Sequence, residues 1–256
     1  MPEAKQYSVV VGGNTVTVET GKMAGLAGGA VTVRQGDTMM LATATMSKNP
    51  RPGIDFFPLS VDFEEKLYAA GRIPGSFFRR EGRPSEGAIL TCRLTDRPLR
   101  PLFPKDLRNE VQIIITVLSV DGTHQPDILA IVGASTALTI SDIPFGVAPY
   151  DGPIGAVRVG LIDGDFVINP TFEQMETSML NLRLAGTRDA ILMVECGAEE
   201  VSEDTLVNAL SLGHEALQPL IDLQEQMAQE VGKPKRDDYP RVAIDAAVRQ
   251  EVVEKT

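Results

Sequence analysis

The 256-residue chain sets 24 lysines and arginines against 35 aspartates and glutamates, a net charge of -11, with 43% hydrophobic residues. That balance suits one large domain, or one domain and part of another, with an ordinary core, and it excludes a protein that coats nucleic acid indiscriminately, since phosphate would be repelled over most of the surface. The start of the chain lacks a basic region followed by a long apolar run, and no segment approaches the roughly 20 apolar residues of a membrane span, so a cytoplasmic chain without membrane contact is expected.

The first predicted element is a hairpin. β-branched flanks, Val9 and Val11 on one side and Thr15 to Val18 on the other, enclose Gly12-Gly13-Asn14, residues that tolerate positive φ. Strands follow over Ala30 to Arg34, Met39 to Thr45 and Val111 to Val120, the last so apolar that cover on both faces is predicted. Between them Ser85 to Arg97 reads as a helix, with Ser85 as its cap and Glu86 set favourably against the helix dipole. Asp127 to Leu138 is a helix of small residues, in which Gly133-Ala134 permits close approach to a sheet.

A second hairpin is predicted from Gly155 to Asn169 around Asp163-Gly164, then strands over Met179 to Leu184 and Ala190 to Val194. Ser202 caps a long helix with an apolar stripe of Leu206, Leu210, Leu217 and Ile221; Pro219 inside it predicts a kink. His214 falls on that stripe as a hydrogen-bonded core histidine, and His124 is too distant in sequence to share a local ligand motif with it. Residues 232 to 238 have the composition of a linker, and Val242 to Val253 that of a further helix. Cys92 and Cys196 are too few for a disulfide framework and read as small buried hydrophobes.

The functional signal is concentrated between Gly71 and Phe103, which hold Arg72, Arg79, Arg80, Arg83, Arg93, Arg97 and Arg100 and no lysine. Guanidinium groups meet phosphate as planar two-pronged donors, and Phe77-Phe78 beside Arg79-Arg80 offer ring faces for stacked bases. One reading is therefore a grip on single-stranded nucleic acid by Phe77, Phe78, Arg79, Arg80 and Arg83. Another is a solvated, salt-bridged face, since Asp62, Glu64, Glu81, Glu86 and Asp96 stand near enough in sequence to pair with several of these arginines. Arg93 and Arg97, four apart, lie on one helical face and are placed to reach a common anion.

The segments GRIPGSFFRREGRPSEG and RLTDRPLRPLFP, with TVTVETGKMA, DFFPLSVDFEEKLYAAGRIPGS, DILAIVGASTAL, DGPIGAVRVG, AGTRDAILMVE and GHEAL, resemble in order the first core domain of the bacterial polynucleotide phosphorylase family. The resemblance implies an α+β fold of the RNase PH-like type (ribosomal protein S5 domain 2-like), with residues 1–232 as the core domain, 233–240 as linker and 241–256 as the start of an all-helical domain. It also implies phosphorolysis of single-stranded RNA from its 3′ end by inorganic phosphate, in a homotrimer, with Mg²⁺ held by a second core domain. Arg79, Arg80 and Arg83 match the family's channel loop. Arg93, Arg97 and Arg100 would support an active site completed by that second domain.

Within the family the catalytic carboxylates and lysine stand just before an Ala-Gly-Thr-Arg-Asp landmark, here Ala185 to Asp189. Counting back from it puts Met175, Asn181 and Arg183 at those positions. Glu173 and Glu176 are nearby carboxylates, but along a strand a shifted residue points to the other face. The phosphate-binding serines precede a Gly-Ala-Ser that here is Gly133-Ala134-Ser135, which puts Gln125, Pro126 and Asp127 in their place. Proline has no N–H to give and aspartate repels phosphate. The resemblance thus implies a copy without chemistry and without a metal of its own, kept for RNA binding and assembly. Two rivals are a non-enzymatic RNA-threading and oligomerisation module, and a small-metabolite enzyme whose arginines bind a carboxylate or nucleotide.

Overall fold

A computed structural model describes residues 4–75, 81–150, 152–241 and 246–255. Two sheets build the fold. The first has six strands, β1 (Lys5–Val11), β2 (Asn14–Thr20), β3 (Gly29–Gln35), β4 (Thr38–Met46), β5 (Leu59–Glu64) and β6 (Val111–Ser119), in the order β1-β2-β3-β4-β6-β5. Every pairing in it is antiparallel except β5 with β6. The second sheet is antiparallel, β7 (Gly155–Ile162), β8 (Asp165–Ile168), β9 (Leu180–Gly186) and β10 (Ile191–Ala198), in the order β10-β9-β7-β8.

Both predicted hairpins form with two-residue turns at positive φ, Gly12-Gly13 and Asp163-Gly164. Such turns match the right-handed twist of their strands. β6 departs from its prediction: Val111, Ile113, Ile115 and Val117 are buried, whereas Gln112 is exposed and Ile114 only half-buried. A single helix layer covers this sheet, so the apolar residues on the other face stay partly open.

That layer is α2 (Pro126–Ile140), packed against β3, β4 and β6 on one side and β7 on the other, with nearly every residue buried. Gly133 lets it approach: a Cβ there would lie 3.1 Å from the Ala42 Cβ and 3.2 Å from Val33 Cγ1. α1 (Glu86–Leu99) lies along β5 and α2, started by Ser85, whose Oγ accepts from the Ala88 N–H at 3.0 Å. The predicted long, kinked helix is two helices, α4 (Glu203–Ala216) and α5 (Gln218–Val231), separated at Leu217. Pro219 stands in the first turn of α5, where its missing N–H is harmless, so the chain breaks cleanly instead of bending. A short α3 (Phe172–Met175) opens with a Thr171–Gln174 capping box, and α6 covers Ala246–Lys255.

The run predicted as a linker is tied to the domain. Lys233 donates its backbone N–H to the Ile140 carbonyl at 3.0 Å and its Nζ to the Gly28 carbonyl at 2.7 Å. Lys235 Nζ donates to the carbonyls of Leu138, Thr139 and Ser141 at 2.7, 2.9 and 2.9 Å, three acceptors at and just past the end of α2. Burial pulls the Lys235 ammonium down to about 8, against the opposing charge of Asp142. Arg236 pairs with Asp142 at 2.8 Å, and Tyr239 is buried.

Candidate functional site

Between β5 and α1 opens a cleft of about 540 Å³ lined by Arg83, Arg93 and Arg100 among its cations and Asp62, Glu64 and Asp96 among its carboxylates. The lining holds five carboxylates and four cations in all, so its charge does not make it a general sink for anions. Its availability to a ligand turns on which cations are already engaged. Lys66 pairs with Glu64 at 2.8 Å. Arg100 grips Asp96 at 2.6 and 3.0 Å and donates to the carbonyls of Phe57 and Leu59 at 3.2 and 3.1 Å.

Arg83 and Arg93 are exposed, and among the described residues neither has a hydrogen-bond or ion-pair partner. Those two are the guanidinium groups of the cleft lining without a partner among the described residues. Phe77, Phe78, Arg79 and Arg80, the other four residues of the predicted grip beside Arg83, lie outside the described residues.

Arg93 and Arg97, expected to reach a common anion, have different surroundings here. Arg97 is outside the cleft lining; its Nη1 donates to Glu195 Oε2 on β10 at 3.1 Å and its Nη2 to the Val194 carbonyl at 3.4 Å. The helical spacing holds, but the Arg97 side chain leans toward β10, where a carboxylate is waiting. Arg100 is likewise an internal pair with Asp96, the alternative that its sequence neighbours left open.

Two separate sequence landmarks meet at one place. Asp127, on the first turn of α2, and Asn181 and Arg183, on β9, converge around Arg158 of β7. Arg158 Nη2 donates to Asp127 Oδ2, and Arg158 Nη1 donates to Asn181 Oδ1 at 3.0 Å. Arg183 Nε lies 3.0 Å from the same Asp127 oxygen, and Arg183 Nη1 donates to Glu195 Oε1 at 2.9 Å. Glu195 therefore joins this cluster to Arg97 through its second oxygen.

The Arg158 side chain is only 4% exposed, so its charge needs the buried carboxylate beside it. Met175 and Gln125 stay outside this set of contacts. Glu173 and Glu176 are exposed at the short α3 and not on a strand, so they supply no substitute carboxylate here.

This donor set does not fit magnesium. Asp127 is committed to two arginines and the Asn181 oxygen to one of them, where a hard divalent ion wants free carboxylate or water oxygens. Among the described residues no group of three or more His, Cys, Asp or Glu side chains is arranged to hold a metal.

Arg158 does not stand out in the sequence. The signal for it is a lone charge at an inward position of the apolar run Ala156–Val159, which requires a buried partner.

The remaining polar candidates are structural. His214 Nε2 is 3.0 Å from the Thr187 carbonyl on a half-buried helix face, as expected for a core histidine. His124 Nδ1 lies 2.6 Å from Asp121 Oδ2. Burial pushes the Asp121 carboxyl up, but hydrogen bonds from the His124 backbone and ring, Thr123 and Thr38 outweigh it and hold the group well below the usual carboxylate range. The cysteines correct their prediction: Cys92 is half-buried and Cys196 exposed, because β10 is an edge strand with little covering it. Burial still pushes both thiols up, away from reactivity.

Among the described residues no helix is long and apolar enough to cross a membrane. The chain matches the 3′ exoribonuclease family, domain 1, over residues 13–144 and domain 2 over residues 152–216. The join falls where the first sheet gives way to the second.

Polyribonucleotide nucleotidyltransferase of Heliobacterium modesticaldum is 54% identical over 248 residues, covering 97% of this chain and 34% of that protein. The enzyme of the same name from Halothermothrix orenii is 58% identical over 248 residues, with the same coverage of 97% and 34%. That of Thermus thermophilus is 56% identical over 235 residues, 92% of this chain and 32% of the relative. The chain thus spans about a third of the length of the curated relatives it matches.

The crystal structure of rice (Oryza sativa) Rrp46 superposes with a TM-score of 0.64 over 88% of this chain and 94% of its own, at 15% identity, which shows the shared α+β RNase PH-like fold. With both parts of the family matched in order along the two sheets, the chain belongs to the 3′ exoribonuclease family.

Proposed function

We propose that the chain is the RNA-binding and assembly half of a phosphate-dependent 3′-to-5′ exoribonuclease, the first core domain of a polyribonucleotide nucleotidyltransferase, working in mRNA turnover in a cytoplasmic homotrimer. In that reaction an oxygen of inorganic phosphate attacks the phosphorus of the 3′-terminal phosphodiester. The bond to the preceding 3′ oxygen breaks, a nucleoside diphosphate leaves, and the shortened RNA keeps a 3′-hydroxyl. Magnesium and the catalytic carboxylates would come from a second core domain, so no step is assigned to a metal on this chain.

The observation that carries the reading is identity above one half, over nearly the whole chain, with relatives of that name. The silent state of this copy is supported by Asp127, whose carboxylate is taken up by Arg158 and Arg183 where phosphate and metal groups would otherwise stand. RNA contact would fall to Arg83 and Arg93 in the cleft, with Phe77, Phe78, Arg79 and Arg80 adjoining in sequence. Arg100 would hold the cleft's wall through Asp96, and Arg97 would fix α1 to β10 through Glu195.

The chain incubated with single-stranded RNA, phosphate and Mg²⁺ or Mn²⁺ should release no nucleoside diphosphate; robust release would overturn the assignment. In the full-length enzyme, alanine at Arg79, Arg80 and Arg83 should weaken RNA binding and flatten its salt dependence by roughly 0.7 in log-log slope for every RNA phosphate left without its arginine. Unchanged affinity and slope would remove the loop from the RNA path. The same cluster suits a purely RNA-threading and oligomerising module, and the two readings separate on whether a second core domain with free carboxylates shares the assembly.

A further inference from the structure

We infer that Asp127 is a tethered anion: its carboxylate fills an oxyanion pocket made by Arg158, Arg183 and the first turn of α2, and removing it converts the pocket into a binding site for inorganic phosphate. The inference deepens the silent-copy reading above and rests on it.

Three observations support it independently of the sequence register. First, the pocket sits at the start of a fifteen-residue helix, where the helix dipole and the N–H groups that follow Pro126 favour negative charge, although Pro126 itself offers none. No side chain caps this end from Gln125; the nearest anion is Asp127 itself, whose Oδ1 accepts from the Ile128 N–H at 2.9 Å.

Second, the two arginines are held from behind by groups other than Asp127. Asn181 accepts from Arg158 Nη1 at 3.0 Å and Glu195 from Arg183 Nη1 at 2.9 Å. Their forks therefore keep an orientation when Asp127 is removed.

Third, one carboxylate does not exhaust the donors. Arg158 Nε is buried without a hydrogen-bond partner, and Arg183 Nε, though 3.0 Å from Asp127, is not aligned to make a hydrogen bond to it. A tetrahedral oxyanion has more acceptor oxygens than a carboxylate and suits two guanidinium forks and a helix end. The charge count points the same way: Arg97, Arg158 and Arg183 face Asp127 and Glu195, a balance of +1 that becomes +2 without Asp127.

The test uses the chain itself and phosphate as the probe. Wild type, Asp127→Ala and Asp127→Ala with Arg183→Gln are titrated with inorganic phosphate against chloride at equal ionic strength, reading the thermal midpoint and binding heat. Asp127→Ala should lose stability in chloride, regain it saturably in phosphate, and bind phosphate at least about tenfold tighter than wild type. The double variant should lose that response.

A folded Asp127→Ala that responds no more than wild type overturns the inference, as does a gain that survives Arg183→Gln. Should Asp127→Ala fail to fold in chloride, recovery of soluble chain on refolding in phosphate alone reads the same gain, and equal failure in both salts counts against it. Phosphorolysis does not enter this readout. Release of nucleoside diphosphates by the wild-type chain would sink the silent-copy reading separately.

Discussion

The cleft beside α1 and the cluster beneath α2 both bring arginines and carboxylates together, yet they resolve the charges in opposite ways. In the cluster each guanidinium has a carboxylate or amide at hydrogen-bond distance, and the Arg158 side chain is almost wholly out of water. In the cleft Arg83 and Arg93 stay in solvent without partners among the described residues, although acidic side chains line the same walls. The contrast teaches that arginine count does not identify a binding surface. Burial forces pairing, because an isolated interior charge is prohibitively costly, whereas an exposed arginine can remain unpaired at little cost and keep its donors for a ligand.

The sharpest way to break the contrast is Arg158→Ala. It strands Asp127 with a misaligned Arg183 and should cost about 3–5 kcal/mol of stability, read as a shift in denaturant midpoint at unchanged slope. A loss under about 1 kcal/mol would mean that water reaches the cluster and solvates the stranded carboxylate. Next in size comes Arg100→Ala, which removes the Asp96 pair together with two carbonyl contacts; about 1–2 kcal/mol is expected. If Arg100 instead behaves like its exposed neighbours, it belongs with the free cations of the cleft.

Asp121 sharpens the comparison through pH, since its partners are neutral N–H and hydroxyl donors as well as a histidine. Its folded carboxyl lies below the ordinary value of 3.8, so the stabilisation is fully present above that pH and is lost as pH falls through and below it. Asp121→Asn should flatten the acid limb of the stability curve by on the order of 1 kcal/mol once solvent screening is allowed for. An acid limb as steep as that of wild type would point to other carboxylates. The smallest effects are expected at the two exposed sites. Glu195→Gln should cost about 0.5 kcal/mol, and Arg93→Ala should change stability by less than that while lowering RNA affinity in the full-length enzyme. Destabilisation by Arg93→Ala of more than about 1 kcal/mol would erase the distinction between the two regions.

Local chemistry made much of the fold legible. The hairpin turns follow from residues that accept positive φ, the start of α1 from Ser85, and the burial of α2 from its run of small apolar residues. β5 was not legible: Leu59–Glu64 mixes apolar and acidic residues, and its parallel pairing with β6 is made across a long stretch of chain that carries no local trace of it. Pro219 marked a real interruption, but proline at the first turn of a new helix and proline inside one look alike when the residues around it are all helix formers.

At the candidate site, Asp127, Asn181 and Arg183 were legible as departures from a family pattern. Their mutual contact was not, because Arg158, the residue that joins them, lies in an apolar strand with nothing beside it in sequence to name its partner. Arg93 and Arg97 illustrate the same limit, since helical spacing fixes the face and not the neighbour across from it.

The attachment of residues 233 to 236 to the end of α2 sets how mechanical load would pass through the molecule. Tension on the chain beyond residue 241 is not borne first by α5, the element it follows in sequence. It meets Arg241 against Asp106 and the buried Tyr239, and then passes through Arg236, Lys235 and Lys233 to the carboxyl end of the helix that both sheets enclose. Once those contacts peel, the end of α2 is what they uncover.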